Sequence, residues 1–353
     1  MRKYFLGGNT SEGFFSYYDY LIRQSEAQKI YVIKGGPGTG KSTLMKKIGE
    51  WAADAGFETD YIYCSSDPDS LDGLVIPEIK IAMVDGTAPH IVDPKNPGAV
   101  DTIVHLGDCW NESKMKKNKA DIINTNSKIK EKFRLSYEHL KAAGVLYGAK
   151  NKIYEKIVKH EELIKAFTEI IHSEIKEYSS CGTAWKRKLF ASSYGPKGYI
   201  CHAETISCEK KYVLKGFASP MITKKITDVL SEYGYDTESF YNPLAPSEEI
   251  AHIYVPELQL GIFTEDLFSG ISTDGAEVID TRSAADQYLF DEYADEIDNL
   301  SRAVNRQTDE ACKIIATAKS LHDKLEGYYI PNMDFAEIGR RCEQIIKELE
   351  TMI

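Results

Sequence analysis

Apolar positions along the chain follow two rhythms. Short apolar runs at Ile30–Lys34, Asp60–Cys64 and Lys80–Val84 have strand length and are bounded by turn residues. A helix is expected over Ser42–Ala55 and a further strand over Thr102–Leu106. The same series returns as a strand at Tyr212–Lys215, a helix at Met221–Glu232, and strands near Ser239–Tyr241 and Gln259–Phe263. Strands alternating with helices predict an α/β fold with mainly parallel sheets covered on both faces.

Elsewhere the apolar spacing lengthens to steps of four and three. Ile153, Ile157, His160, Ile164, Phe167 and Ile171 fall on one predicted helical stripe, with His160 as a core or seam residue. Ile314, Ala318, Leu321 and Leu325 form another. After a break at Tyr328–Asn332 the pattern resumes with Phe335, Ile338, Cys342, Ile345 and Leu349. These helices imply either packing within the chain or self-association through helical arms.

The two series are copies of one unit. Tyr31-Val32-Ile33-Lys34-Gly35 returns as Tyr212-Val213-Leu214-Lys215-Gly216, and Ile76-Pro77-Glu78-Ile79 as Val255-Pro256-Glu257-Leu258. Arg2-Lys3-Tyr4-Phe5 matches Arg187-Lys188-Leu189-Phe190, and Gly13-Phe14 matches Gly198-Tyr199. The matches keep order and nearly constant spacing, so the expected organisation is a unit over 1–110, its helical arm over 111–185, a second unit over 186–292 and a second arm over 293–353.

Composition narrows the class. The 353 residues have room for about two domains, and no run of eighteen apolar residues predicts a membrane span. The formal charge is −11, which disfavours general nucleic-acid binding. Ser113–His160 departs from this balance, with thirteen Lys or Arg against four acids; it reads as a solvated face or a surface docking on the acidic stretch near Asp286–Asp298. Seven cysteines without a CxxC pair suggest reduced thiols and a cytoplasmic setting rather than a disulfide frame or zinc site.

The sharpest motif is Gly35-Gly36-Pro37-Gly38-Thr39-Gly40-Lys41-Ser42-Thr43, a complete G-x-x-x-x-G-K-[ST] between a predicted strand and a predicted helix. Glycines let backbone N–H groups approach phosphate oxygens, and the following helix start favours negative charge. Lys41 is expected to reach the β- and γ-phosphates and the Ser42 hydroxyl to ligate Mg2+. An acid ending a neighbouring strand should share that cation, and Asp85 is placed to do so.

No glutamate follows Asp85. Glu78, Asp67, His90 and Asp108 are the candidates for activating water, and Arg282 for a cation supplied by the second half. That half keeps neither the phosphate lysine nor the acid. Gly216–Thr223 is three residues shorter than its counterpart, and Thr264 stands where Asp85 does. Asn118-Lys119-Ala120-Asp121 spells a guanine-reading motif but opens a polar helix instead of following a buried strand, so ATP is favoured over GTP.

Gly7-Gly8-Asn9-Thr10, Gly13-Phe14-Phe15, the glycine-rich motif and Asp85-Gly86-Thr87-Ala88-Pro89-His90 resemble an uncharacterised bacterial family of tandem P-loop ATPases. The likeness spans nearly the whole chain, with the second P-loop degenerate here. It implies tandem P-loop NTPase-like units and the nucleotide class. Three activities remain open: a Mg2+-dependent ATPase coupling nucleotide state to rearrangement of its halves, a small-molecule or nucleotide kinase, and a nucleotide-sensing protein with little turnover that engages a protein partner. The Gly7–Phe15 segment is expected either to be architectural or to cover the nucleotide base.

Overall fold

The computed structural model describes residues 1–175, 183–216, 220–265 and 271–353. The first unit runs β1 (Arg2–Tyr4), a hairpin of β2 (Gly7–Thr10) and β3 (Gly13–Ser16), β4 (Lys29–Lys34), α1 (Lys41–Asp54), β5 (Asp60–Cys64), β6 (Asp67–Ile76), β7 (Ile81–Asp85) and β8 (Asp101–His105). Helices α2 (Glu112–Lys117), α3 (Lys119–Ile157) and α4 (His160–Glu174) follow. The second unit repeats the order: β9 (Lys186–Leu189), a hairpin of β10 (Ser192–Gly195) and β11 (Gly198–Cys201), β12 (Lys210–Lys215), α5 (Pro220–Glu232), β13 (Thr237–Tyr241), β14 (Ile250–Val255), β15 (Leu260–Thr264) and β16 (Glu277–Asp280). It ends in α6 (Gln287–Tyr329) and α7 (Phe335–Glu350).

The duplication is explicit in the strand order. One six-stranded sheet reads β1-β5-β6-β7-β4-β8, and the other, from its matching edge, β9-β13-β14-β15-β12-β16. In each the third strand, β6 or β14, runs antiparallel to its neighbours, while the remaining pairings are parallel. The sequence pattern missed β6 because it opens on the polar Asp67-Pro68-Asp69-Ser70 and is continuously buried only from Leu71 to Ile76. The turns after these strands carry matching left-handed residues, Lys80 (φ 54°) and Gln259 (φ 47°).

Alternation within β4 shows how a strand divides its burial. Ile30 and Val32 join the core shared between the units, whereas Tyr31 and Ile33 pack with Leu44, Met45 and Ile48 of α1. The units meet along matched residues: the Phe5 N–H donates to the Phe190 carbonyl at 2.8 Å, and the Phe190 N–H returns the bond at 3.0 Å. Beside this pair, Arg2 bridges Asp60 and Glu238, and Arg187 also binds Glu238 at 2.6 Å. The Gly7–Phe15 segment belongs to this architecture. Asn9, fully buried, donates to the carbonyls of Ser65 (3.3 Å) and Tyr194 (2.9 Å).

The helical arms cross between the units. α3 packs along α6, and isolated bridges Trp110–Met333 and Val158–Ala285 tie their opposite ends, so the two helices run antiparallel. Leu140, Ala143 and Tyr147 meet Val304, Ala311 and Cys312 in the apolar seam. Beyond the seam each terminal helix docks on the other unit: α7 packs on α1, and α4 on α5. The swap is reciprocal down to single side chains. Lys29 and Tyr31 of β4 bind Glu348 of α7, while the matching Lys210 and Tyr212 of β12 bind Glu174 of α4.

Two expectations are corrected. The stripe from Ile153 to Ile171 is not one helix, because Val158 adopts an extended conformation and pairs with Ala285, separating α3 from α4. Residues 292 and 293 do not divide unit from arm, because α6 is continuous from Gln287. No helix among the described residues is long and apolar enough to cross a membrane.

Candidate functional site

β4 and β7 are parallel neighbours, with Ile33 opposite Asp85, so the loop leaving β4 and the last residue of β7 lie at the same sheet edge. In α/β sheets the crevice outside the carboxyl ends of strands is the usual ligand site. The Gly35–Gly40 loop turns there into α1, with Gly38 at φ 65° and Gly40 at φ 81°, a region that glycine enters at low cost.

Lys41, the first residue of α1, folds back over the loop. Its Nζ donates to the carbonyls of Gly35 (3.1 Å) and Gly36 (2.8 Å) and stands 3.5 Å from Asp85 Oδ2. Thr87 ties loop to strand: its hydroxyl donates to the Gly35 carbonyl at 2.8 Å, and its N–H to Asp85 Oδ1 at 2.8 Å. Thr39, fully buried, donates to the Gly36 carbonyl at 2.8 Å. Ser42 Oγ accepts from the Leu71 N–H at 2.9 Å, which places it against the middle of β6, while Thr43 is exposed. Pro37 is half-buried within the loop. Lys41 and Asp85 thus meet beside the glycine loop, and Ser42 follows Lys41 at the start of α1.

The second half covers this cradle, which local sequence could not reveal. Glu326 on α6 accepts from the Gly38 N–H at 3.2 Å. A Cβ built on Gly36 would lie 2.9 Å from Tyr329, and one on Gly38 2.8 Å from Ile330. Trp110 packs edge-on against Tyr329 at 6.0 Å. One helical turn before Glu326, His322 Nδ1 stands 3.9 Å from it, and about two turns before it Lys319 pairs with Asp67 at 3.2 Å. Burial holds the His322 imidazole below its ordinary pKa, against the opposing pull of Glu326.

The candidates for activating water lie elsewhere or are engaged. Glu78 sits in the turn between β6 and β7, at the far edge, where it accepts from the Glu58 N–H. His90 is buried against Tyr18 and Asp72. Asp108 pairs with Arg341 of α7 at 2.8 Å, which lowers its pKa to about 2. Asp67 is held by Lys319.

Arg282 does not reach the cradle. It pairs with Asp280 and lies against Gly216, at the shortened loop of the second unit. Lys319 of α6 and Arg341 of α7 instead reach first-unit acids, Asp67 and Asp108. Thr264 ends β15 as Asp85 ends β7, so the second sheet edge lacks the acid. Phe217, Ala218 and Ser219 of the shortened loop, together with Asp266 and Cys181, lie outside the described residues; the other six cysteines are free thiols. Set beside protein-family models, curated proteins and solved structures, the chain matches none of them.

Proposed function

We propose that the chain binds ATP with Mg2+ at the Gly35–Thr43 loop and couples that binding to movement of the α6–α7 arm. One observation carries the reading: Lys41 stands over the loop carbonyls, 3.5 Å from an acid that ends the adjacent parallel strand. The glycine loop offers backbone N–H groups, and one of them already holds an anionic oxygen, that of Glu326. Ser42 and Asp85 supply the oxygen donors that a hard cation prefers and would hold Mg2+. Lys41, released from the loop carbonyls, is the cation for the β- and γ-phosphates.

Coupling follows from what covers the loop. An anion on the Gly38 N–H competes with Glu326, so occupancy and arm position are linked through the same donor. Because α6 runs from the second unit to the first, release of its end changes the packing between units.

A nucleotide-sensing role with slow turnover is the second reading. It is favoured because Asp67 and Asp108 are paired with Lys319 and Arg341, His90 is buried, and Glu78 is at the opposite edge. Magnesium-dependent phosphate release from ATP and GTP, with Lys41→Ala as control, separates the two. Release that vanishes in the variant supports an ATPase, whereas tight ATP binding without release supports the sensor.

A further inference from the structure

We propose that Cys64, Asp72 and His90 form a binding site for one divalent transition-metal ion of the zinc class, distinct from the Ser42–Asp85 pair. Cys64 ends β5, Asp72 lies midway along the antiparallel β6 where Gly73 pairs with Val84 near the end of β7, and His90 follows β7, so the topology brings all three to the carboxyl end of β5 and β7. Their donor atoms lie within 4.8 Å of one another, and Asp72 and His90 are 3% and 8% exposed. Tetrahedral zinc would hold such atoms roughly 3.3–3.7 Å apart, within reach of about an ångström of side-chain movement.

Hydrogen bonding fixes which histidine nitrogen faces the cluster. The Tyr18 hydroxyl donates to Asp72 Oδ2 at 3.1 Å, so its oxygen accepts from His90 Nδ1–H at 3.0 Å. Nε2 therefore points at the Asp72 carboxylate, 3.4 Å away. Phe14 and Tyr18 clamp the ring edge-on, each at 5.3 Å. A second nitrogen bonded to a fixed partner is the usual support of a metal-ligating histidine.

Charge balance admits a cation. A divalent ion held by a neutral imidazole, a carboxylate and a thiolate leaves no net charge in the buried cluster. The N–H groups of Ser66 and Asp67 donate to the Cys64 sulfur, which favours the thiolate although burial raises the thiol's pKa. Asp85 on the adjacent strand adds negative potential at Asp72. A thiolate with an imidazole selects zinc-class ions over Mg2+ or Ca2+, and three protein ligands leave the fourth position open.

The test is titration of the full chain, stripped with chelator, first with Co2+ and then with Zn2+, without nucleotide. A thiolate-to-cobalt charge-transfer band at one equivalent, bleached by Zn2+, is expected. Cys64→Ser should lose the band and weaken zinc binding at least ~100-fold, and Tyr18→Phe about tenfold. Lys41→Ala should bind metal as wild type does, which separates this site from the nucleotide reading. Should Cys64→Ser fail to fold, alkylation of Cys64 in the wild-type chain decides, and protection by Zn2+ is expected. No band, wild-type zinc affinity in Cys64→Ser, or equal labelling with and without Zn2+ would show a proton-filled cluster and overturn the proposal.

Discussion

The Gly38 amide donates to the Glu326 carboxylate at 3.2 Å across 288 residues of sequence. That bond joins the glycine loop of the first unit to the long helix of the second. Removing the carboxylate should leave the loop freer for an incoming anion. Glu326 is partly exposed, so the competing bond is discounted to about 1 kcal/mol, which corresponds to roughly fivefold affinity. Glu326→Ala is expected to bind a fluorescent ATP analogue about fivefold more tightly, as read by anisotropy. Unchanged or weaker binding would remove Glu326 as a competitor.

Asp85 contacts the loop through Thr87 and Lys41 rather than through the core. Asp85→Asn should keep the melting temperature within a few degrees, because its amide oxygen still accepts from the Thr87 N–H. It should nevertheless lose most of the Mg2+ dependence of ATP binding. A magnesium titration at fixed ATP checks this; an unaltered magnesium midpoint would count against Asp85 as a cation ligand.

The crossed helices make a local prediction. α7 buries Ile338, Cys342, Ile345 and Leu349 against α1 of the other unit. Ile345→Ala should cost about 2–5 kcal/mol. Its effect in hydrogen exchange should appear first in residues 44–52, and not in α5, whose partner is α4. Faster exchange confined to residues 220–232 would contradict the swapped arrangement.

Burial alone would raise the Glu238 carboxyl, yet Arg2 and Arg187 hold it below the ordinary carboxylate range. Its stabilising contribution is therefore present above the unfolded value of about 4.3 and lost as pH falls through the folded value. Glu238→Gln, which leaves two arginines underpaired, should cost about 3–5 kcal/mol near neutrality. The gap to wild type in denaturant titrations should narrow at about pH 3. A gap of the same size at both pH values would show that the pair contributes nothing through charge.

The parallel core strands β4, β5 and β7 and the duplication were legible because each has a local signature, whereas the antiparallel β6 and β14 were not. Ile30–Lys34 was found within one residue of the observed β4, and Asp60–Cys64 matched β5. What the sequence lacked were facts set by distant contact. Phe335–Leu349 announces an amphipathic helix, yet nothing in its spacing says that Ile345 packs on the opposite unit's α1. Glu326 belongs to an ordinary polar helix face until the fold brings it to Gly38. The Ile153–Ile171 stripe misled because the apolar phase continues across the break at Val158. Cys64, Asp72 and His90 come from three elements, a separation that no metal-binding spacing rule covers.

Calorimetric titration of Mg·ATP into the wild-type chain and Lys41→Ala decides whether the Gly35–Thr43 loop holds nucleotide. One site is expected in the wild type and affinity at least ~100-fold weaker in the variant, with both proteins folded. Equal binding by the two, or none by a folded wild type and none by Glu326→Ala, would contradict binding at the loop.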